Sequence, residues 1–208
     1  MLVLSVCSLK GGSGKTTAAT NLAACLATAG HSVTLVDADE GQGSALSWGS
    51  VARRLPVVPA GRNLQKTLAT LTSDVVVIDG PPRLGEETRA AMLAGHFVIV
   101  PSIPGASDGW ALRKTLAVLA EAQKLRPDLR GAVLWNDVER TTLARAAQAS
   151  LDGASVPVLG ASLGHRVTFG EALLRGQGVV DYDAESDAAR EVRRLTKEIL
   201  KEVARGQA

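Results

Sequence analysis

Eight consecutive residues near the start of the chain carry the groups needed to hold phosphate oxygens. They read KGGSGKTT and follow the apolar run 2–6, and a helical pattern starts directly behind them. Glycines permit a sharp turn that points several N–H groups inward, and the start of a helix adds the positive end of its dipole. This P-loop pattern predicts that Lys15 contacts the β- and γ-phosphates and that the Thr16 hydroxyl binds Mg²⁺. The loop residues predicted to bind the nucleotide are Gly11, Gly12, Ser13, Gly14, Lys15, Thr16 and Thr17.

Two other apolar runs end in carboxylates of the kind that a magnesium site uses. Residues 33–37 end in Asp37, Asp39 follows two positions later, and residues 75–79 end in Asp79. Asp37 and Asp39 are too close to be buried together without a cation or hydrogen-bond donors, which Mg²⁺ and a water nucleophile would supply. Asp79 is expected to hold Mg²⁺ through a coordinated water, because this ion keeps much of its hydration shell. A structural role, as a turn or helix-capping acid, is the alternative for Asp37 and Asp39.

To bring these groups together, the chain is expected to form an α/β fold with a doubly wound, mostly parallel sheet and helices on both faces. Apolar strand-like runs alternate with amphipathic helix-like runs, and parallel strands place their carboxyl ends at one edge, where ligands bind. The predicted strands are 2–8, 32–37, 57–59, 75–79, 97–101, 132–136 and 156–159. The predicted helices include 18–29, 107–125, 141–151, 168–174 and 187–204. No linker or repeat divides the sequence, so residues 1–208 are expected to form a single domain.

The composition supports this fold and limits the alternatives. Of the 208 residues, 46% are hydrophobic and 3% are aromatic, which fits short buried strands covered by alanine-rich helices. The formal net charge is +2, so any nucleic-acid surface has to be local. Cys7 and Cys25 form no C-x-x-C pair and lie in apolar patterns, which predicts small core residues in a reducing cytoplasm. The sequence shows neither a signal-peptide pattern nor an apolar run near the roughly 18 residues that span a bilayer.

The phosphate-binding loop departs from the general spacing G-x-x-x-x-G-K-[ST], because Leu9 stands where the first glycine belongs. With Lys10 ahead of its glycines, the loop resembles the deviant Walker A box of the ParA/MinD family of dimeric ATPases, and the chain resembles the short, ParF-like members most closely. The resemblance implies a P-loop ATPase domain with ATP and Mg²⁺ as cofactors. It also makes Lys10 a signature lysine that crosses the interface of an ATP-bound homodimer and neutralises charge on the partner's transferred phosphoryl group. An exposed loop lysine is the alternative.

The same resemblance implies roles for the residues around the loop. Catalytic roles fall to Lys10, Lys15 and Asp39, with Asp39 positioning or deprotonating the attacking water. The metal ligands that the resemblance implies are Thr16, Asp37 and Asp79. The family's D-x-D-P-Q-G motif reads DADEGQG here, so its proline is replaced and its glutamine is displaced by one position.

Three later segments extend the resemblance. The segment 79–87 opens with a D-x-P-P turn and is expected to sense the γ-phosphate, with a rigid turn as the alternative. Asn136 ends an apolar strand where relatives contact adenine, and its amide is able to donate to and accept from a purine edge. The segment 101–110 is similar to one that opens a helix beside the dimer interface. A first-turn acid and a packing residue are the alternatives for Asp108 and Trp110.

The last predicted helix carries a cationic stripe. Its basic residues fall within an arc of about 120°, on the side opposite Val192, Leu195 and Ile199. ParA-type dimers bind the nucleoid without sequence preference, so the resemblance implies non-specific DNA binding through phosphates. A solvated face, neutralised by intrahelical pairs such as Arg194–Glu198, is the alternative. The predicted DNA-binding residues are Arg166, Arg190, Arg193, Arg194, Lys197 and Lys201. Arg166 precedes this helix, in a stretch that resembles the family's R-x-x-F-x-E-A, and a role at the dimer interface is its alternative.

Taken as a whole, the resemblance implies a ParA-like ATPase that partitions DNA or positions another cargo. An ATP-dependent sandwich dimer would bind DNA in the cytoplasm, on the nucleoid, and a ParB/ParG-like or cargo-adaptor protein would stimulate hydrolysis and release. A MinD-like membrane-cycling ATPase is one alternative, disfavoured because the apolar face of the last helix is narrow and rich in β-branched residues. A metabolic ATP-dependent enzyme is another, for which the short loops leave little room.

Overall fold

The computed structural model describes residues 1–39, 41–52, 54–139 and 156–206, and its six strands form one parallel sheet. The strands are β1 (Leu2–Val6), β2 (Val33–Asp37), β3 (Val57–Pro59), β4 (Val75–Asp79), β5 (Phe97–Ser102) and β6 (Arg130–Trp135). Their order across the sheet is β3-β2-β4-β1-β5-β6. Because β1 pairs with β4 on one side and β5 on the other, the loop after β1 opens near the middle of the sheet. That position is where ligands bind in open α/β sheets.

Helices cover both faces of this sheet. They are α1 (Lys15–Thr28), α2 (Ser44–Ala52), α3 (Leu64–Ala69), α4 (Glu86–Ala94), α5 (Ala106–Leu125), α6 (Val167–Leu174), α7 (Val179–Tyr182) and α8 (Asp187–Arg205). One core layer joins Leu4 and Leu35 of the sheet to α1 and α8, and the other joins Val36 and Ile78 to α4 and α5. Both faces of the strands are buried, as is typical of a parallel sheet, except in the edge strand β3, whose residues are half-buried or exposed. The predicted doubly wound α/β fold is confirmed.

One predicted strand differs from the prediction, and one predicted helix is not described by the structure. The predicted strand 156–159 forms only an isolated parallel bridge, in which Val158 pairs with Val133 beside β6. Pro157 accepts a hydrogen bond from the N–H of Val133 at 2.9 Å, but it has no N–H of its own with which to extend the ladder. The predicted helix 141–151 lies outside the described residues.

The structure also bears on expectations drawn from composition. Cys7 and Cys25 are buried and unpaired, as predicted. Burial raises the pKa of the Cys7 thiol to about 12, so this side chain stays protonated in the core. Within the described ranges, no helix is both long enough and apolar enough to cross a bilayer.

Candidate functional site

The phosphate-binding loop connects β1 to α1 and depends on Gly14 for its shape. Gly14 caps the start of α1 with a φ of 91°, in the left-handed region that favours glycine. A Cβ atom on Gly14 would lie 2.1 Å from Nδ2 of Asn136, far inside van der Waals contact. Any larger residue would have to displace either the loop or Asn136, so both the backbone angle and the close approach require glycine.

Two side chains lie directly against this loop. Lys15 is only 7% exposed, and its ammonium donates to the Lys10 carbonyl at 3.1 Å. Burial lowers the Lys15 pKa, and the carboxylates of Asp79 and Asp39 oppose this shift because a negative charge favours the charged ammonium. Asn136 follows β6, and its Nδ2 donates to the Ser13 carbonyl at 3.2 Å. The residue predicted to contact adenine therefore braces the phosphate loop, and its contact with adenine stays a prediction.

Thr16 and Asp79 form the part of the site that fits a magnesium ion. The Thr16 hydroxyl donates to Oδ2 of Asp79 at 2.7 Å, while Oδ1 of Asp79 is buried without a hydrogen-bond partner in the described part of the chain. Burial is the main cause that raises the pKa of Asp79 to about 7, and the neighbouring Asp37 adds to it. A buried carboxylate with an unused oxygen and a hydroxyl beside it are suitable oxygen ligands for Mg²⁺.

Asp37 and Asp39 differ in how far their carboxylates are occupied. Asp37 is buried, and its two oxygens accept from the backbone N–H of Asp39 at 3.0 Å and of Leu46 at 2.9 Å. This is the structural role given above as the alternative, since Asp37 fixes the turn and the start of α2. Its place in the metal shell stays a prediction. The Asp39 carboxylate has no hydrogen-bond or ion-pair partner among the described residues, so it is available for a water molecule.

Lys10, the predicted signature lysine, is bound to its own subunit. Its ammonium lies 2.7 Å from Oδ1 of Asp108 and donates to the Ser107 hydroxyl at 3.3 Å, both at the start of α5. Ser107 in turn donates to Asp108 at 3.1 Å. Trp110, on the same helix, is 72% exposed. Lys10 is therefore folded back onto the start of α5, the segment expected to lie beside a dimer interface.

The comparisons with known proteins agree with this geometry. The family model described as the CobQ/CobB/MinD/ParA nucleotide binding domain matches residues 4–180. The chain belongs to this family. It is 35% identical over 210 residues to maintenance of carboxysome distribution protein A of Halothiobacillus neapolitanus, covering 95% of both chains.

Two further relatives show how widely the CobQ/CobB/MinD/ParA likeness extends. The chromosome-partitioning ATPase Soj of Thermus thermophilus is 30% identical over 242 residues, with 96% of each chain covered. The solved structure of the cell division ATPase MinD of Pyrococcus furiosus superposes with a TM-score of 0.76 at 25% identity, covering 96% of this chain and 98% of that one. The predicted resemblance to the ParA/MinD family is thus confirmed, and the chain is a ParA-like positioning ATPase by its relatives.

The cationic residues predicted to bind DNA fall into two groups in this family member, and the first group is already engaged. Arg166 contacts Glu191 at 2.8 Å and Asp187 at 3.3 Å. Arg190 contacts Asp187 at 2.7 Å, and Arg193 donates to a backbone carbonyl at 2.6 Å. These three arginines stabilise the start of α8 as well as adding positive charge to the surface.

The second group is exposed and unpaired. Arg194, Lys197 and Lys201 have exposed side chains with no hydrogen-bond or ion-pair partner in the described part of the chain. Glu198 does not neutralise Arg194, because its two oxygens accept from the backbone N–H groups of residues 160–161, each at 2.7 Å. Among the described residues of the stripe, these three cations along the middle of α8 are therefore available to bind an anionic partner.

Sequence reasoning missed one residue near the site, Arg83. It follows the D-x-P-P turn in the loop between β4 and α4, and its guanidinium approaches Gly41 and Asp39 across the site. The available signal was charge: Arg83 is the only cationic residue in the segment 79–87.

Proposed function

We propose that this chain is a magnesium-dependent ATPase that converts ATP and water to ADP and phosphate. The loop N–H groups and Lys15 hold the phosphates, Thr16 and Asp79 hold Mg²⁺, and Asp39 positions the attacking water. When bound, Mg²⁺ neutralises charge on the phosphate oxygens. The observation that carries this proposal is the Thr16–Asp79 pair at 2.7 Å, together with a buried Lys15 and a buried carboxylate oxygen of Asp79 that has no hydrogen-bond partner among the described residues.

ATP binding is proposed to join two copies of the chain face to face. In that dimer, Lys10 leaves Asp108 and reaches the phosphates bound by the partner subunit. A cation supplied in trans neutralises the charge on the transferred phosphoryl group, as an arginine finger does. The exposed Trp110, on the same helix as Asp108, adds apolar area that a homodimer would bury.

The dimer is proposed to bind DNA non-specifically through Arg194, Lys197 and Lys201, and thereby to position a cargo on the nucleoid in the cytoplasm. A ParB/ParG-like or cargo-adaptor protein would stimulate hydrolysis and release the dimer from DNA. The relatives named for carboxysome distribution and for chromosome partitioning support a positioning role, with a protein assembly or a DNA molecule as the cargo.

The MinD-like membrane cycle is the weaker candidate, because of how α8 packs. An amphipathic helix that lies on a membrane needs bulky apolar side chains on its free face. Here Val192, Leu195 and Ile199 are buried in the core beneath α8. The free face of this helix is cationic, which favours a polyanion such as DNA.

The proposed cycle is tested by DNA binding of the full chain with ATP, with ADP and without nucleotide, across a range of salt concentrations. The wild-type chain is expected to bind DNA only when ATP is present, and its affinity for DNA is expected to fall steeply as the salt concentration rises. Lys10→Ala is expected to bind ATP but to hydrolyse it slowly. Binding to DNA that is the same in all three nucleotide states would contradict the switch, and binding to anionic vesicles instead of DNA would favour the membrane cycle.

A further inference from the structure

Arg83 brings a further cation to the edge of the phosphate site. It lies in the segment 79–87 that is expected to sense the γ-phosphate, but no contact described above is assigned to its side chain. A Cβ atom on Gly41 would lie 3.3 Å from an Nη atom of Arg83 and 3.6 Å from Oδ1 of Asp39. The two side chains therefore converge on the same small volume above Gly41. Because Asp39 is the residue proposed to position the attacking water, the guanidinium of Arg83 lies at the edge of the reaction centre.

The backbone around Arg83 explains why it reaches this place. β2 and β4 are adjacent parallel strands whose last residues are paired, so the loops that follow them leave the sheet side by side. Gly80 lets the second loop pass close to β1, since a Cβ atom there would lie 2.8 Å from the Val6 carbonyl oxygen. The buried Thr88 hydroxyl then donates to the Arg83 carbonyl at 2.6 Å, which ties the loop to α4. The residue is held by its backbone while its side chain extends into the site.

The charge of Arg83 is not balanced within the described residues. Its guanidinium has no hydrogen-bond or ion-pair partner there, whereas Arg89 on the following helix contacts Glu121 at 3.2 Å. Arg83 and Asp39 thus lie around one space above Gly41, and the planar guanidinium is well suited to phosphate oxygens.

We propose that Arg83 contacts the γ-phosphate of ATP bound to its own subunit and so distinguishes ATP from ADP. This role rests on the proposed ATPase function. In hydrolysis, the water oxygen bonds to the γ-phosphorus, the bond to the bridging oxygen breaks with its electron pair left on ADP, and the proton passes to Asp39 and then to solvent. Arg83 forms no covalent bond in this step. It neutralises the phosphoryl oxygens in cis, while Lys10 does so in trans.

The first test measures binding and does not depend on hydrolysis. Affinities of the full chain for ADP and for a non-hydrolysable ATP analogue, each with Mg²⁺, are compared by calorimetry. Arg83→Ala is expected to weaken the analogue about 10-fold and ADP by less than about two-fold, because only the analogue carries the third phosphate. Arg83→Lys is expected to recover part of the loss, since it keeps the charge without the planar fork. Arg89→Ala is the matched control, with both affinities unchanged.

The outcomes separate a contact in cis from the alternatives. Equal weakening of both nucleotides in Arg83→Ala, or no weakening of either, overturns the proposal. Repeating the comparison in a Lys10→Ala background removes the contact expected from the partner subunit. If Arg83→Ala still weakens binding of the ATP analogue selectively in this background, the contact in cis is supported. If the selective weakening disappears, Arg83 acts at the dimer interface and the proposal is overturned.

The second test separates this role from the proposed function itself. In steady-state ATP hydrolysis with DNA present, Arg83→Ala is expected to lower kcat at least about 10-fold with a smaller change in KM. A wild-type chain that hydrolyses no ATP would contradict the proposed function. If the wild-type chain hydrolyses ATP and Arg83→Ala has the same kcat, the proposed function stands and only the role of Arg83 is overturned.

Discussion

The phosphate site and α8 both carry several charged side chains, but the site buries them and α8 exposes them to solvent. At the site, Lys15, Asp37 and Asp79 are at most 7% exposed, and Asp79 still has an oxygen without a hydrogen-bond partner in the described residues. Along α8, the cations that have no partner among the described residues lie in water. A buried ionic group that lacks a partner is costly, so it specifies the ligand that completes it, whereas a solvated charge needs no partner. In the proposed function, the site is therefore expected to specify a magnesium-bound phosphate chain, and α8 is expected to select only polyanions as a class.

The largest expected effect comes from removing buried charge at the site. Lys15→Ala is expected to lower the rate of ATP hydrolysis roughly 1,000-fold, because a preorganised cation in a water-poor site contributes far more than one in solvent. Steady-state hydrolysis measures this loss. Lys66→Ala, on the exposed side of α3, is the control and is expected to leave the rate unchanged. If both variants hydrolysed ATP alike, Lys15 would not act on the phosphates.

Gly14→Ala tests whether the loop conformation itself is required. The variant combines a left-handed backbone angle with a 2.1 Å approach to Asn136, so it is expected to lose about 3 kcal/mol of unfolding free energy. Gly30→Ala is the matched control: its φ is 94°, but nothing lies within 4 Å of its Cβ position. It is expected to lose only about 1 kcal/mol. Denaturant unfolding measures both, and equal losses would show that Asn136 moves aside freely.

On α8, charge reversal is expected to have a moderate and salt-dependent effect. Arg194→Glu, Lys197→Glu and Lys201→Glu together are expected to weaken ATP-dependent DNA binding about 100-fold at low salt and to lower the log–log salt slope by about 3. ATP hydrolysis without DNA is expected to be unchanged, because these side chains are remote from the phosphate loop in the fold. Fluorescence anisotropy with a DNA duplex measures affinity and slope.

The same three reversals placed away from the stripe, at Lys66, Arg89 and Lys124, provide the control for net charge. They are expected to weaken DNA binding far less. If the two triple variants lost affinity equally, the attraction would come from total charge and not from α8.

Asp108→Asn is expected to have a smaller effect, on dimerisation. Removing the partner of Lys10 leaves the lysine free to cross the interface, so the dimer should form more readily with ATP. The Lys10 side chain is 35% exposed, and an exposed ion pair contributes about 1 kcal/mol or less, so the gain is expected to be at most about five-fold. Analytical ultracentrifugation with an ATP analogue measures it. Asp128→Asn, which removes the exposed partner of Arg126, is the control. Weaker dimerisation of Asp108→Asn would show that Asp108 supports the dimer.

The smallest expected effect is the titration of His165, outside both regions. A hydrogen bond with Asp137 at 2.6 Å raises the His165 pKa, because the carboxylate stabilises the imidazolium. This hydrogen bond stabilises the folded state fully at pH values below the unfolded-state pKa of His165. Its contribution to the stability is lost as the pH rises through the higher folded-state pKa. Asp137→Asn is expected to lower the pKa, as measured by NMR of the imidazole protons, with little change in ATP hydrolysis. An unchanged His165 pKa in the variant would contradict this assignment.

Arg83 shows the limit of reading a site from sequence. The motif KGGSGKTT, the carboxylates after β2 and β4, and the order of strands and helices could all be predicted, because each depends on neighbours in the chain. The partner of a surface cation depends instead on which distant segment packs beside it. That is why Arg166 looks equivalent to Lys197 in the sequence but is ion-paired with Glu191, 25 positions away, in the fold.

The sequence by itself determined the parallel sheet, the phosphate loop and the carboxylates at the ends of β2 and β4. These follow from local causes: the alternation of apolar runs, the backbone freedom of glycine and the common edge of parallel strands. Only the tertiary structure placed Asn136 under a loop that lies 123 positions away, folded Lys10 onto Asp108, and turned Arg83 toward Asp39. Those contacts join segments far apart in the chain, and their geometry exists only once the sheet has brought the segments together.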